Sequence, residues 1–361
     1  RDRETKLLEG LNVNYINPAK VKKLFQVIVL KKDETSVENL ISLQEDYYRI
    51  KISNPKERSA VTAKQFYSNI ILADLEQRLR NIKLPVKLSS CDISKNIFPE
   101  FKKNDIVIHL AARQYHSSVP WKNRLDWFKE VNVTGTKNLL NTIINIDLKG
   151  LIYFSTDMVY GYPQTLPIKV DHHRKPLGPY GKSKLEAENI LISAQEKGLP
   201  ITILRPRLIM GPGRLGVMEK LFSSLSLNRP IPMIGKGDNY YQMVSVDDCS
   251  DAIILSVQNN FPTQILNLGS NPELKVKDLL KNLIKEVNSN SSLIPLPAKL
   301  SKFALNFLDL LGLTILYPEQ FYIADKNYIV DISYTKSLIG WNPKYSDLEM
   351  MISAYRNWNA K

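Results

Sequence analysis

The sequence predicts an α/β protein whose main domain is a doubly wound parallel sheet and whose C-terminal part forms a smaller lobe. Two observations lead to this fold class. Short apolar runs alternate with amphipathic helical segments from about residue 49 onward, which is the pattern of βαβ units. After residue 206 the rhythm changes to loops rich in Gly and Pro between shorter helices and strands. We therefore expect a sheet domain at 49–206 and a lobe at 207–361 that is partly threaded back into it, whereas residues 1–48 fit neither pattern.

Five short segments are predicted to be strands of the sheet. Apolar runs of four to eight residues with polar residues on both sides are typical of buried parallel strands. The predicted strands are 49–53, 69–74, 104–112, 150–156 and 200–206, and the predicted helices between them are 59–66, 122–146 and 179–197. In the lobe, QILNLG (264–269) predicts a strand and VKDLLKNLIKEV (276–287) a helix. Because ligands bind beyond the carboxyl ends of parallel strands, we expect the functional site near HLAA, STD and LRP, which end three of the runs.

The composition is that of a globular protein, with 43% hydrophobic and 24% charged residues among 361. Cys91 and Cys249 lie far apart, which argues against a disulfide framework and fits a reducing, cytoplasmic compartment. The four histidines lack the spacing of a zinc site, so no metal is predicted. The net charge is +13, but the lysines are scattered. A basic surface that attracts small anionic substrates is therefore favoured over a nucleic-acid-binding site.

The longest apolar run, FALNFLDLLGLTIL at 303–316, is too short to span a membrane and contains Asp309. The first residues, RDRETK, show no signal-peptide pattern and no Met. We therefore expect a protein that has no membrane partner.

A tyrosine and a lysine four residues apart open the helix predicted at 179–197. In PLGPYGKSKLEAEN (176–189) two prolines precede the helix, and Tyr180 and Lys184 share one of its faces. A lysine ammonium group beside a phenol favours the phenolate and lowers the pKa of the phenol. Such a tyrosine can exchange a proton with a substrate hydroxyl near neutral pH. The spacing alone is common, so its meaning depends on the rest of the chain.

Several segments match one family in the right order. GLIYFSTDMVYG (150–161) and PYGKSK (179–184) resemble motifs of the extended short-chain dehydrogenase/reductases, the NAD-dependent epimerase/dehydratase family. The resemblance extends over 49–361 through DIVIHLAA, NVTGTKNLL, LRPRLIMGPG, VDD and LIGWNPKY. It implies a Rossmann-like fold, a nicotinamide cofactor such as NAD, and hydride transfer at a carbon that bears a hydroxyl.

The same resemblance assigns catalytic roles. Tyr180 as phenolate would take the hydroxyl proton, Lys184 would keep it charged and bind the nicotinamide ribose, and Thr156 would orient the hydroxyl. Asp157 is a further candidate, because dehydratase members carry Asp-Glu at this point as acid and base. Here the second residue is Met158, which argues against 4,6-dehydration and leaves oxidation, reduction or epimerisation.

Five further residues are candidates for binding the cofactor. Ala111 and Ala112 are small enough for the cofactor to approach the strand end, and Asn132 matches a family asparagine in the following helix. Asp74 ends a predicted strand, where a carboxylate binds the adenosine ribose and disfavours the 2′-phosphate of NADP. Asp92 resembles the family aspartate near the adenine, and the role of a turn aspartate fits it equally well.

One family feature is missing. The first strand of the family leads into a glycine-rich turn whose backbone approaches the cofactor pyrophosphate. The matching stretch, RIKISNPKERSAVTAK at 49–64, contains no glycine. Three explanations stay open: a rebuilt loop that still binds NAD, a protein that has lost its cofactor, or an altered N-terminal sequence.

The expected substrate is a sugar nucleotide, on which the protein would act as an epimerase or reductase. Arg207 and Arg214 flank the GPG motif and are candidates for binding the diphosphate. Tyr241, a third candidate for contacting the substrate, stands where family members often carry an arginine. Tyr241 leaves open a hydroxysteroid- or flavonol-type dehydrogenase, and the missing glycines leave open a cofactor-free binding protein. The helices at 122–146 and 179–197 are apolar on more than one face, which predicts a homodimer joined by a four-helix bundle.

Overall fold

The computed structural model describes residues 92–115, 119–211 and 218–359, together with the backbone of residues 27–30. Within these residues the main sheet has five strands, which are, in spatial order, β1 (Val27–Leu30), β2 (Ile106–His109), β3 (Gly150–Phe154), β4 (Ile201–Pro206) and β8 (Ile265–Leu268). Strands β2, β3, β4 and β8 run parallel, which confirms the predicted α/β class. The elements predicted at 49–53, 59–66 and 69–74 lie outside the described residues.

The edge strand β1 differs from the others because it runs antiparallel to β2, with Val27 opposite His109. No element was predicted in the segment 1–48. The four residues of β1 read VIVL, and β-branched residues of this kind favour extended backbone. An antiparallel edge strand on an otherwise parallel sheet is a common arrangement.

Helices cover both faces of the sheet, as a doubly wound fold requires. Side chains alternate along a strand, so Tyr153 of β3 enters one core and Phe154 enters the other. The described helices are α1 (Arg124–Lys129), α2 (Thr136–Ile143), α3 (Pro179–Gln195), α4 (Met218–Ser226), α5 (Val246–Gln258), α6 (Val276–Glu286), α7 (Ala298–Leu310), α8 (Pro318–Phe321), α9 (Ser333–Ile339) and α10 (Asp347–Asn359). Helices α2 and α3 pack in the core that contains Tyr153, and α5 and α9 pack in the core that contains Phe154.

The single helix predicted at 122–146 is interrupted. A π-helical turn, Glu130–Gly135, separates α1 from α2. Gly135 permits this turn to press against the chain before β2, since a Cβ there would lie 2.6 Å from side-chain atoms of Ile93. Turns of this type are frequent at functional sites, and this one carries Asn132.

The C-terminal part of the chain forms a third core and also contributes β8 to the main sheet. Two small parallel pairs lie outside that sheet: β5 (Leu208–Met210) with β7 (Met243–Ser245), and β6 (Ile231–Ile234) with β9 (Leu293–Leu296). The third core is built by α4, α6 and α10 through side chains such as Phe222, Leu283 and Met351. Strand β8 therefore ties this part of the chain to the edge of the sheet beside β4.

Two kinds of feature are absent from the described part of the chain. No helix there is both long enough and apolar enough to cross a membrane. No group of three or more His, Cys, Asp and Glu side chains there is arranged to hold a metal ion.

Candidate active site

The candidate site lies where β3 ends and α3 begins. Strand β3 is buried along its whole length. Ser155 and Thr156 follow its carboxyl end, which lies at the edge of the sheet where parallel α/β proteins bind ligands. Helix α3 begins with Pro179, whose fixed φ suits the first helical position. Gly178 precedes it and has no side chain to cap the first turn. The free N–H groups of that turn therefore need another partner.

Glu319 provides this cap from 139 residues further along the chain. Its Oε1 accepts a hydrogen bond from Tyr180 N at 2.8 Å, and its Oε2 accepts one from Gly181 N at 3.0 Å. Oε1 also accepts a hydrogen bond from Tyr115 Oη at 2.5 Å. Burial raises the pKa of Glu319 to about 7, and the three donors oppose this rise. Sequence reasoning missed Glu319, because YPEQF shows only a proline before a short helix.

Two glycines allow the close packing around this cap. A Cβ at Gly178 would lie 2.4 Å from Glu319 Cγ. A Cβ at Gly181 would lie 2.6 Å from the carbonyl oxygen of Met158. Since both distances are shorter than any normal contact, the first turn of α3 reaches the chain after β3 only because these side chains are missing.

Tyr180 lies on this first turn and is half-buried. Its ring centroid is 5.8 Å from that of Tyr115 and 5.6 Å from that of Phe128. Both contacts are within the range of favourable aromatic pairs. The ring is therefore held by aromatic neighbours while Glu319 holds its backbone.

Lys184 lies one turn further along α3 and is fully buried. Its Nζ donates a hydrogen bond to the carbonyl oxygen of Phe154 at 2.6 Å, and it lies 4.1 Å from the centroid of the Tyr153 ring. Burial lowers the pKa of Lys184 to about 7, although the carboxylate of Glu188 favours the charged form. The structure thus places the predicted lysine at the end of β3, with a pKa near neutrality.

His109 is a buried titratable neighbour that sequence reasoning did not select. It pairs with Tyr153 in the sheet register, and its Nε2 lies 2.9 Å from Thr136 Oγ1. Burial lowers the pKa of His109 to about 3, and the charge of Lys184 adds to this effect. The imidazole is therefore neutral and does not compete with Lys184 for the role of cation.

Thr156 is buried and begins the short turn Asp157–Val159. Its Oγ1 accepts a hydrogen bond from Met158 N at 3.2 Å and donates one to Asp157 Oδ1 at 3.2 Å. The hydroxyl thus caps the turn that packs against Gly181. Of the predicted catalytic residues, Tyr180 and Lys184 lie on α3, whose first turn packs through Gly181 against the turn that Thr156 begins. The sequence does not reveal this contact or the cap that Glu319 provides.

Asp157 and Arg207 form a buried ion pair behind this turn, with Nη1 and Oδ2 2.8 Å apart. Burial raises the pKa of Asp157, and the guanidinium group of Arg207 opposes the rise. The guanidinium carbon lies 4.2 Å from the Tyr241 ring centroid and 4.3 Å from that of Tyr328. Arg207 and Tyr241, both predicted to contact substrate, therefore belong to one cluster with Asp157, whereas Arg214 lies outside the described residues.

Three of the predicted cofactor residues, Ala111, Ala112 and Asn132, lie around the end of β2. Ala111 and Ala112 are buried. The Oδ1 of Asn132 accepts a hydrogen bond from Arg113 N at 2.7 Å, and its Nδ2 donates to Arg113 O at 3.1 Å and to Ser183 Oγ at 2.9 Å. The carboxamide of Asn132 thus joins the chain after β2 to α3.

Asp92 has a local role in the structure. Its Oδ1 accepts hydrogen bonds from Ser94 N at 3.2 Å and from Ser94 Oγ at 2.6 Å, which caps the short turn Ile93–Lys95. These contacts are those of a turn aspartate, which is the alternative role that fits Asp92. Asp74 and the glycine-free stretch 49–64 lie outside the described residues.

A cavity of about 560 Å³ lies elsewhere, between β6, β9 and α6. Three lysines line it, Lys236, Lys277 and Lys281, together with Asp238. None of the predicted site residues is among the residues that line it.

Comparison with known proteins shows one family. Residues 43–269 match the profile of the NAD dependent epimerase/dehydratase family. An uncharacterized protein of Sinorhizobium fredii, y4nG, is 31% identical over 271 residues, which cover 72% of this chain and 68% of that protein. The UDP-glucose 4-epimerase of Vibrio cholerae is 26% identical over 246 residues, which cover 67% of this chain and 73% of that one. A solved structure of UDP-glucuronic acid 4-epimerase from Bacillus cereus in complex with NAD has a similar fold, with a TM-score of 0.59 and 20% identity over 79% of this chain and 85% of that one.

Proposed function

The chain belongs to the NAD-dependent epimerase/dehydratase family, and on that basis we propose that it is an enzyme that oxidises or reduces a sugar carbinol of a sugar nucleotide. The observation that carries this proposal is the packing of the first turn of α3 against the end of β3. There Glu319 accepts hydrogen bonds from Tyr180 N and Gly181 N, and Gly181 packs against the turn that Thr156 begins.

Each of the three residues has a defined task in this proposal. Tyr180 removes the proton from the reacting hydroxyl and returns it after reduction. Lys184 holds a positive charge near the phenolate, and its pKa of about 7 leaves it partly charged at neutral pH. Thr156 directs its hydroxyl to the substrate oxygen once its hydrogen bonds with Met158 N and Asp157 Oδ1 are broken.

A nicotinamide cofactor would supply the acceptor and donor of hydride. The residues at the strand ends fit such a group. Lys184 has three protons on Nζ and donates one to Phe154, so the others can bind ribose hydroxyls. The Oγ of Ser155 is buried and has no hydrogen-bond partner within the described residues, which supplies a further polar group at the same edge. We propose NAD rather than NADP, because Asp74 is predicted to bind the adenosine ribose.

Epimerisation or simple reduction is favoured over 4,6-dehydration. Dehydration needs an acid and a base at neighbouring positions, and Met158 cannot serve as either. The carboxylate of Asp157 forms an ion pair with Arg207, which fixes its position in the turn Asp157–Val159. We propose that Arg207 acts through Asp157 and Thr156, and that Arg214 is the remaining candidate for the diphosphate.

The test is titration calorimetry with NAD, NADP and a panel of sugar nucleotides, followed by turnover measured by NMR. UDP-glucose and UDP-glucuronic acid head the panel, because they are substrates named for two similar proteins. We expect NAD to bind more tightly than NADP and one sugar nucleotide to give a 4-epimer or a reduced product.

The other outcomes separate the alternatives. Turnover of apolar alcohols alone would indicate a hydroxysteroid- or flavonol-type dehydrogenase. Binding of a sugar nucleotide with no binding of either cofactor would indicate a cofactor-free binding protein and would end the catalytic proposal.

A further inference from the structure

Helix α7 (Ala298–Leu310) is amphipathic, but its polar face points toward the protein. Lys302 Nζ donates to the carbonyl oxygen of Tyr322 at 2.8 Å and pairs with Asp325 at 2.5 Å. One turn later, Asn306 Oδ1 accepts a hydrogen bond from Tyr322 Oη at 3.3 Å. Lys302 and Asn306 thus attach α7 to the body of the protein through polar contacts.

Asp309 continues this inward face. Its two carboxylate oxygens accept hydrogen bonds from both Nη atoms of Arg124, at 2.8 and 2.9 Å. A bidentate pair of this kind fixes orientation as well as position. Lys302, Asn306 and Asp309 are three or four residues apart, so they occupy one face of the helix.

The opposite face of α7 is apolar and exposed. Leu300 is 65% exposed, Phe303 72%, Phe307 54% and Leu310 67%. The same surface continues beyond the helix through Leu311, Leu313 and Ile315, which are 50–62% exposed, and it includes Trp121 at 51%. We call these eight residues the apolar ridge.

This arrangement is the reverse of the one found on a water-facing helix. Surface helices of soluble proteins turn their apolar stripe to the core and their charged face to solvent. Here Lys302 and Asp309 bind inward while two phenylalanines and two leucines point outward. A continuous apolar surface of this kind marks an interaction site. The outward face of α7 is therefore suited to contact with an apolar environment.

Three lysines among the described residues lie beside the apolar ridge. Lys122 Nζ lies 4.9 Å from the ring centroid of Trp121, and Lys220 Nζ donates to the carbonyl oxygen of Ile315 at 3.0 Å. Lys299 is an exposed residue of α7 itself. The carboxylates next to the ridge, Asp309 and Asp325, are neutralised by Arg124 and Lys302. The ridge therefore has a positive rim on a chain whose net charge is +13.

We propose that the apolar ridge docks on the surface of a lipid bilayer that contains anionic lipids. Leucine and phenylalanine side chains would enter the acyl boundary, Trp121 would lie at headgroup depth, and the lysines would bind lipid phosphates. A second copy of the chain is a poorer partner, because a symmetric contact would bring these lysines against each other. With 13 residues, α7 is roughly 20 Å long, which suits a helix lying in the interface and not one that crosses it.

The ridge is also connected to the candidate active site. Tyr317 lies two residues after Ile315, and its ring stacks on Tyr115 with centroids 4.0 Å apart. Tyr115 in turn contacts the Tyr180 ring and the carboxylate of Glu319. A bilayer that holds the ridge would thus lie near the catalytic turn.

The test is co-sedimentation of the full chain with vesicles, without substrate, so that it does not depend on the proposed function. One set of vesicles is pure phosphatidylcholine and the other contains phosphatidylglycerol as well. We expect binding to the second set, weaker binding to the first, and a decrease with salt. In the Phe303→Ser/Phe307→Ser double variant, affinity should fall on the order of tenfold or more. Both side chains are more than half exposed, so the fold should be retained.

Leu227→Ser is the matched control, because Leu227 is 53% exposed and lies outside the ridge. It should bind vesicles like the parent. Absence of binding by the parent, or equal binding by the double variant, would overturn the proposal. Equal binding to both sets of vesicles would overturn the role of the lysines. Self-association that the double variant abolishes, with no vesicle binding, would assign the ridge to a second copy instead.

Discussion

Lys184 and Glu319 are buried ionisable groups on either side of Tyr180, and each has a pKa of about 7. Burial is the main cause in both cases, but the directions are opposite because burial disfavours whichever form is charged. Lys184 is pushed toward the neutral amine and Glu319 toward the neutral acid. The protonation of this site therefore changes over the range in which an enzyme of this kind would work.

Lys184 should set the alkaline limb of activity. Its ammonium group loses its proton as pH rises through about 7, and catalysis by Tyr180 needs that positive charge. We expect kcat/KM to fall above this pH in the parent. In Lys184→Arg the guanidinium stays charged, so the limb should be absent whatever the absolute rate. An unchanged limb in the variant would assign it to another group.

Glu319 should make stability depend on pH. Its pKa in the folded protein, about 7, lies above its usual 4.5, so folding favours the protonated form. The resulting stabilisation is fully present below pH 4.5 and is lost as pH rises through 7, with a total of about 3 kcal/mol at most. Melting curves of Glu319→Gln should show a flatter pH dependence than those of the parent. Glu196→Gln, at the exposed end of α3, is the control and should behave like the parent.

At the scale of elements, the contact between α3 and the turn Asp157–Val159 is the critical one. Gly181→Ala would place a Cβ 2.6 Å from Met158 O, which belongs to the backbone and cannot turn away. We expect the variant to lose about 1–3 kcal/mol of stability, as for other overpacked sites, and to lose turnover because α3 shifts. Ser193→Ala, exposed on the same helix, should leave both unchanged. A melting temperature for Gly181→Ala at or above that of the parent would contradict this reading.

Local patterns predicted three neighbouring strands of the main sheet and helix α3, but not the edge strand β1. The predicted segments 104–112, 150–156 and 200–206 contain β2, β3 and β4, and the predicted helix 179–197 contains α3. The break of 122–146 at Glu130–Gly135 was not predicted, because a π-helical turn does not change apolar periodicity enough to be seen.

The contacts between distant elements could not be predicted from the sequence. Glu319 reaches Tyr180 over 139 residues and Arg207 reaches Asp157 over 50, and neither distance is reflected in a local pattern. The length of the run 303–316 and the charge of Asp309 argue against a membrane span, but they do not predict how the run is oriented. Its orientation, with Asp309 bound inward, depends on the pair with Arg124, which lies 185 residues away in the sequence.

For the molecule as a whole, we expect a homodimer joined through α1 and α3. These helices pack together, and Lys129 and Glu186 form an ion pair between them at 2.6 Å that remains partly exposed. Static light scattering at micromolar concentration should give twice the mass of the chain. The Phe303→Ser/Phe307→Ser protein should give the same mass, because the apolar ridge lies on α7. A monomeric mass for the parent would rule out the predicted dimer.

The most direct measurement is turnover of the Tyr180→Phe protein on the sugar nucleotide that the parent converts. This change removes one oxygen and keeps the ring between Tyr115 and Phe128, so the melting curve should barely move. If Tyr180 exchanges the substrate proton, turnover should fall by a factor on the order of 10² to 10⁴. Turnover within a few-fold of the parent, with the fold intact, would show that the proton is exchanged elsewhere.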